Sequence, residues 1–254
     1  MYILDEEKYI NQLLDTYKKP DDLSVLYLIT LISKYYINKY DNINNLVDKV
    51  KKEISLFNIS GYQEYFYASK IYNICSEMFV GNTKKEFKKL EYIPIYSSDL
   101  EIINTLPSDK YKKLMFTLIA NARYMDSSGW INKKTSDGIR EIFKQANISG
   151  GDDLRDSMLH DLYKNGYISF ARANMNQNIK INHFEHNEDV VYKVTDFNHL
   201  GNQYLGNFKK GYMMCKNCWK IIRCTGNKKM YCKKCAEDMI REKTRERVRL
   251  FREK

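Results

Sequence analysis

The sequence predicts a mainly α-helical protein in three parts, and three observations support this fold class. Apolar residues recur at steps of three and four along much of the chain, which is the spacing of one helix face. Two cysteine pairs lie close together near the C-terminus, and the excess positive charge lies there too. With 254 residues and 43% hydrophobic content, the chain is long and apolar enough for packed cores. We place the three parts at residues 1–92, 93–200 and 201–254.

Residues 1–92 are expected to form a helical bundle. A first helix spans Asp5–Tyr17, and Pro20–Asp22 opens the next, because proline and acidic residues favour the first turn of a helix. Two further segments have apolar residues at helical spacing, namely Ile43, Leu46, Val47, Val50, Ile54 and Phe57, then Tyr67, Ile71, Ile74, Cys75 and Met78. The longest apolar run, Val25–Ile32, is far shorter than the roughly 20 residues that cross a bilayer, so we expect a buried helix and no membrane span.

Residues 93–200 are expected to alternate helices with short strands. An extended piece at 93–95 is followed by a helix at 97–106, a helix at 109–125 and a strand at 130–131. Thr135–Asp137 is expected to cap a helix that ends at 146, and the next helix begins at 150–152 and ends at 165. A hairpin with strands at 168–170 and 179–181 completes the series. The order is helix, small strand, helix, helix and hairpin.

The third helix of this series is acidic. It carries Asp152, Asp153, Asp156 and Asp161 against Arg155 and Lys164. Reading of bases in the major groove favours Arg, Lys, Asn and Gln, and carboxylates repel phosphate. A protein-binding or purely structural role is therefore as well supported as DNA contact. Downstream, His183 and His186 have no obvious common face, which is more typical of exposed histidines than of a metal site.

The cysteines predict a metal site. Cys215 and Cys218 form one Cys-x-x-Cys pair, Cys232 and Cys235 form another, and thirteen residues separate the pairs. Two such pairs supply four thiolates to one tetrahedral Zn²⁺, and the segment 225–227 offers a turn between them. Four thiolates leave no open position, so the zinc is expected to be structural. The start of the chain has no signal-peptide pattern, and paired cysteines in a reducing cytosol favour metal over disulfides. Cys75 is expected in the core and Cys224 outside the ligand set.

The C-terminal part is strongly basic. Its formal charge is +11 over residues 201–254, against −1 for 1–100 and 0 for 101–200. Such a concentration indicates a polyanionic partner, most often nucleic acid. The candidate contacts are Lys216, Lys220, Arg223, Lys228, Lys229, Arg241, Arg245, Arg249 and Arg252. Two alternatives remain open: Glu242, Glu246 and Glu253 pair with the arginines on a solvated helix, and Trp219 and Tyr231 form the small core of the finger instead of stacking on bases.

Two resemblances follow from these residues. The knuckle, a hairpin at 219–223 and 229–231, and a helix bearing Cys232 and Cys235 resemble a treble-clef zinc finger. Residues from about 93 to 254, with YCKKCA at 231–236 and the basic RERVRLFREK tail, resemble the winged-helix proteins of bacterial phages and mobile elements. The resemblance implies DNA contact by the third helix and the wing.

The function expected from the sequence is non-enzymatic binding of nucleic acid, DNA before RNA, by a regulator or replication accessory in the cytoplasm of a bacterial host cell. The chain has no nucleotide-binding loop, no paired nucleophile and base, and no histidine after His199 to act as the general base of a treble-clef nuclease. The alternative is a phage factor that binds a host protein complex and blocks host defence, with the acidic third helix and the neutral bundle as its working surface.

Overall fold

The structure is a computed structural model, and it is mainly helical. It describes residues 2–21, 23–81, 85–125, 128–131, 136–171, 178–184, 189–224 and 230–252, without the side chains of Ser136, Asp137, Leu250 and Arg252. The chain forms two units, Met1–Tyr92 and Ile93–Lys254. The division of the second unit near residue 200 stays a prediction, and a helix at Leu200–Phe208 begins at that position.

The first unit is a set of helices packed around a central one. Its elements are α1 (Glu6–Thr16), α2 (Val25–Tyr36), a 3₁₀ turn (Ile37–Lys39), α3 (Ile43–Leu56) and α4 (Glu64–Val80). Helix α2 contacts the other three helices. It begins five residues later than Pro20, because the Ser24 side chain caps it by accepting from the Tyr27 N–H at 3.1 Å. Lys19 donates to the carbonyls of Pro20 and Leu23 and holds the preceding segment as a turn.

The apolar positions predicted for α3 and α4 face the core of this unit. Leu46, Val50 and Ile54 are fully buried on α3, and Ile71, Cys75 and Met78 are fully buried on α4. Glu53 on α3 is a buried carboxylate with polar partners. It accepts from the Tyr17 hydroxyl at 2.9 Å and pairs with Lys49 at 2.6 Å. The apolar spacing thus identified the buried faces, while the buried acid depends on partners from distant segments.

The second unit is built around one buried helix. Its elements are β1 (Ile93–Tyr96), α5 (Ser97–Thr105), α6 (Asp109–Tyr124), β2 (Trp130–Ile131), α7 (Ser136–Gln145), α8 (Asp152–Lys164), β3 (Ile168–Phe170), β4 (Ile179–Ile181), β5 (Val190–Val194), α9 (Leu200–Phe208), β6 (Tyr212–Met214), β7 (Ile221–Arg223) and α10 (Lys233–Arg252). Every residue of α6 from Leu114 to Tyr124 is buried. Helices α5, α7 and α9 and strands β1 and β2 all contact α6.

Short antiparallel sheets complete this unit. In one sheet β4 lies between β2 and β3, with Trp130 opposite Lys180 and Ile168 opposite Ile181. In another, β1 pairs with β5 and places Ile93 opposite Val194. Strand β5 was not predicted, because its sequence, VVYKV, does not alternate apolar and polar residues.

A buried ion pair fixes α5 against α6. The Arg123 guanidinium binds the Asp99 carboxylate at 2.8 Å, and both side chains are almost fully buried. The Tyr96 N–H also donates to Asp99 at 2.8 Å. The guanidinium lies between the rings of Tyr96 and Phe184, 4.4 and 4.5 Å from their centres, so its charge is well partnered. Across the described ranges, no helix has the length and apolar character that crossing a membrane requires.

Candidate metal centre and basic helix

The first cysteine pair lies in the turn between β6 and β7. The Cys215 N–H donates to the Lys220 carbonyl at 2.8 Å, and the Trp219 N–H donates to the Cys215 carbonyl at 3.0 Å. Trp219 has φ of 60°, a left-handed conformation that closes the turn. These bonds direct Cys215 and Cys218 to the same side of the hairpin, as the two-residue spacing predicted.

The hairpin of this finger differs from the predicted one. Strand β7 pairs with β6, with Tyr212 opposite Arg223 and Met214 opposite Ile221, whereas the sequence had been interpreted as pairing it with residues 229–231. The cysteine knuckle forms the turn of this hairpin. Strand β6 immediately precedes the knuckle and is therefore the nearest partner for β7. The predicted turn at 225–227 and the predicted contacts Lys228 and Lys229 lie outside the described residues.

The second cysteine pair lies at the beginning of α10. Cys232 directly precedes the helix, and its Sγ accepts from the Cys235 N–H at 3.5 Å, as the side chain of a capping residue does. The Ala236 N–H donates to the Cys232 carbonyl at 2.9 Å. The Cys232 N–H also donates to Cys215 Sγ at 3.3 Å, which ties the helix to the knuckle.

The structure brings the four predicted cysteines into one cluster that can hold a metal ion. The Sγ atoms of Cys215, Cys218, Cys232 and Cys235 all lie within 4.8 Å of one another, and those of Cys218 and Cys232 are 3.6 Å apart. A tetrahedral site with Zn–S bonds of about 2.3 Å has sulfur–sulfur edges of about 3.8 Å. The arrangement is therefore compatible with a zinc site. Cys75 is buried in the core of the first unit, and Cys224 is outside the cluster.

The thiols of this cluster perturb one another. Burial raises the pKa of Cys215, but the backbone N–H groups of Cys232, Cys218 and Asn217 outweigh burial and lower it to about 6. The Asn217 side chain lowers the pKa of Cys235, but hydrogen bonding with Cys218 and Cys232 outweighs this effect and raises it to about 12. A divalent cation bound between these sulfurs would stabilise their thiolate forms.

The apolar core of the finger is small. Cys215, Ile222 and Cys235 are buried, and Met213 and Tyr231 pack against them. The Trp219 ring does not belong to this core and is 40% exposed. The expectation that both rings fill the core therefore holds for Tyr231 and not for Trp219.

Helix α10 leaves the metal cluster with its charged residues in solvent. Arg241, Arg245 and Arg249 are exposed, and so are Lys216, Lys220 and Arg223 on the knuckle and β7. Among the side chains of this helix that the structure describes, Ile240 is 65% exposed, Val248 45% and Phe251 83%. The side chain of the ninth candidate, Arg252, lies outside the described part of the chain.

In the described part of the chain, the acidic helix α8 carries both paired and unpaired polar groups. Arg155 and Arg140 bind the exposed Asp152, and the Tyr111 hydroxyl donates to Asp161 beside a cleft of about 310 Å³. On the solvent side, the Tyr163 ring lies 6.4 Å from His160 and 5.5 Å from Phe170. This aromatic group could not be predicted from the sequence, because Tyr163 and Phe170 belong to different elements.

The histidines downstream of β4 form no cluster that the structure describes. His183 is exposed, and His186 lies outside the described residues. His199 has φ of 56° directly before α9, and its Nδ1 lies 2.8 Å from the Asn147 side-chain nitrogen. Comparison with known proteins found no matching family model, no matching curated protein and no matching solved structure.

Proposed function

We propose that this protein binds nucleic acid without catalysing a reaction, with DNA favoured over RNA, and that its C-terminal part supplies most of the affinity. One observation carries the proposal: Arg241 and Arg245 are exposed on a helix that begins directly after Cys232 and holds Cys235, a second member of the cysteine cluster, in its first turn. Guanidinium groups on a fixed helix neutralise phosphates at defined spacing and release counterions.

The metal in this proposal is one structural Zn²⁺. Cys215, Cys218, Cys232 and Cys235 would hold it, and a tetrathiolate site suits zinc. When bound, the ion supplies positive charge that stabilises the four thiolates and gives no open position for substrate. Its role is to join the knuckle to α10, since the small apolar core at Ile222 contributes little by itself.

The exposed Trp219 ring adds a second kind of contact. It lies on the same knuckle as Lys216 and Lys220, which are also exposed. A base of an unpaired strand stacks on such a ring, while the ammonium groups contact its phosphates. We therefore propose that the knuckle favours nucleic acid with accessible bases, and that α10 binds the backbone.

We further propose that residues 109–181 form a winged helix. The order α6, β2, α7, α8, β3 and β4, with β4 central in the sheet, supports this assignment. The resemblance to proteins of phages and mobile elements suggests a regulator or replication accessory in the bacterial cytoplasm. The acidic residues of α8 argue against base reading by this helix, since Asp153 and Asp156 would face phosphate.

A second candidate function places α8 against protein. Its exposed carboxylates and the aromatic group at Tyr163 favour a protein partner, and a host defence complex that the protein blocks is one such partner. A host protein that co-purifies after nuclease treatment, and that is lost when Asp153 and Asp156 are replaced by Asn, would support this function.

Salt dependence tests the main proposal. Fluorescence anisotropy with a labelled duplex gives the slope of log affinity against log salt concentration for the wild type, R241Q/R245Q and the charge-matched control K18Q/K52Q. Each lost phosphate contact reduces the slope by about 0.9, so we expect the arginine variant to lose about 1.8 and the control to be unchanged. Lys18 and Lys52 are exposed residues of the first unit. An equal change in both variants, or none in either, would contradict the proposal.

A further inference from the structure

Helix α8 and strand β3 present an exposed face that joins acidic and aromatic side chains. Asp153, Asp156, His160 and Tyr163 lie within about 80° of arc on α8 at 100° per residue, and Phe170 contacts Tyr163 from β3. Tyr163 is 50% exposed and Phe170 37%. Among the described residues, neither Asp153 nor Asp156 forms an ion pair. We call these five residues the acidic–aromatic face.

Helix α10 presents a face of the opposite charge. Ile240, Phe251, Val248, Arg241 and Arg245 lie within about 140° of arc on this helix. The apolar members are 45% to 83% exposed. A basic helix that leaves Ile240, Val248 and Phe251 uncovered carries more apolar surface than phosphate binding requires. We call these five residues the basic–apolar face.

We propose that the basic–apolar face of one copy docks on the acidic–aromatic face of a second copy of this chain. Each face combines exposed apolar area with charge, and the two charges are opposite, so apolar burial and ion pairing act together. Both faces are exposed in one chain, so neither covers the other. Pairing of α10 with another α10 would oppose Arg241 and Arg245 to like charges, which disfavours that arrangement.

Reciprocal docking gives a closed, two-fold symmetric dimer. Each copy donates one α10 and accepts one α10, so every contact occurs twice and no face is left to recruit a third copy. The basic–apolar face extends about 17 Å along α10 from Ile240 to Phe251, and the part of the acidic–aromatic face on α8, from Asp153 to Tyr163, extends about 15 Å, so the two faces are similar in length.

This dimer would oppose the proposed binding of nucleic acid. Arg241 and Arg245 belong both to the docking face and to the proposed phosphate contacts, so a polyanion and the second copy compete for them. Self-association therefore goes beyond the proposed function, and it stands or fails separately, because Asp153 and Asp156 are not among the proposed contacts with nucleic acid.

Complementation of two charge-reversed variants tests the proposal. In D153R/D156R both faces are basic, and in R241E/R245E both are acidic, so each variant alone is expected to weaken dimerisation by about tenfold or more. In an equal mixture the reversed faces attract each other, and we expect dimers to form again. Sedimentation equilibrium of the full chain after nuclease treatment measures this, with one variant fluorescently labelled.

Further variants keep the test decisive. K18E/K52E changes the charge as R241E/R245E does, but on the first unit, and should dimerise like the wild type. The neutral D153N/D156N and R241Q/R245Q pairs weaken self-association without risk of new repulsion in the fold, and far-UV circular dichroism checks folding. Duplex affinity of D153N/D156N should not fall, which separates this proposal from nucleic-acid binding. A monomeric wild type at all concentrations, or no dimers in the mixture, would overturn the proposal.

Discussion

At the residue scale, the four clustered cysteines differ from the other two in what they contribute. Their Sγ atoms approach one another within 4.8 Å, while Cys224 is a half-buried thiol outside the cluster. We expect Cys235→Ser to reduce bound zinc from about one ion per chain to less than one-tenth, because three thiolates hold the ion far more weakly. Cys224→Ser should retain the full amount. Metal analysis after dialysis against a weak chelator measures both, and equal zinc content in the two variants would contradict the assignment.

A second residue-scale prediction concerns Glu53 in the first unit. Burial raises the pKa of this carboxyl, but hydrogen bonds from Lys49, Tyr17 and Tyr36 outweigh burial and lower it below its ordinary value of 4.5. Because the pKa of Glu53 is lower in the folded protein than in the unfolded chain, its ionised form stabilises the fold at pH values above the unfolded-state pKa. This contribution disappears as the pH falls through the folded-state pKa.

Glu53→Gln removes that contribution. At pH 7 we expect the free energy of unfolding to fall by about 1–3 kcal/mol, because Lys49 loses its charged partner and the amide nitrogen replaces one of the two oxygens that accept from Tyr17 and Tyr36. Below pH 4.5 the difference from the wild type should shrink as Glu53 becomes protonated. Urea denaturation at several pH values measures this difference, with the exposed Glu64→Gln as control. A difference that does not change with pH would show that Glu53 acts through packing instead of charge.

At the element scale, α9 packs closely on the end of α7. A Cβ added at Gly201 would lie within 2.6 Å of the Ala146 carbonyl carbon, which is backbone that cannot rotate away. We expect Gly201→Ala to lower the free energy of unfolding by about 1–3 kcal/mol or more, since overpacking displaces the helix. At Gly151 a Cβ meets no atom within 4 Å, so Gly151→Ser should change stability by less than about 0.5 kcal/mol. Thermal unfolding distinguishes the two, and similar losses would be inconsistent with the close approach.

The elements that sequence reasoning predicted well are those with local signals. Helix α6 was predicted to end within one residue of its observed end, because capping and apolar spacing are properties of the segment itself. Strand β5 was missed, because its partner β1 lies about 100 residues earlier and only that pairing makes it a strand. The hairpin error at β7 has the same origin: three-residue strands have too little pattern to select a partner.

The same distinction applies to the candidate site: features with a local sequence signal were predicted, and features that depend on the fold were not. The spacing of Cys215 and Cys218 is typical of a knuckle, so the candidate metal ligands could be predicted from the sequence. The acidic–aromatic face was not, since the contact between Tyr163 and Phe170 depends on how β3 returns along α8. The left-handed backbone of Trp219 was not predicted either, since no residue preference for tryptophan indicates it.

At the scale of the whole molecule, the finger and the first unit have separate apolar cores. The core of the finger has Cys215, Ile222 and Cys235 as its buried members, whereas that of the first unit includes fully buried side chains from all four helices. A core of three residues, two of them proposed metal ligands, cannot offset the conformational entropy of its chain. Metal binding and folding of the finger should therefore be one event, while the first unit folds without metal.

Removal of the metal tests this coupling. After treatment with a strong chelator, we expect the helical signal to fall by part of the contribution of α10, since a 20-residue helix without its anchored first turn is marginal in water. Duplex affinity should fall at least tenfold, because the arginines of a frayed helix no longer hold their spacing. The main urea transition, which reports the larger cores, should keep its midpoint. Added Zn²⁺ should restore affinity and helical signal together, and Mg²⁺ should restore neither, since thiolates select the softer ion. If duplex affinity persists in protein shown to be free of metal, the arginines bind from a helix that needs no anchor, and the proposed role of the zinc is wrong.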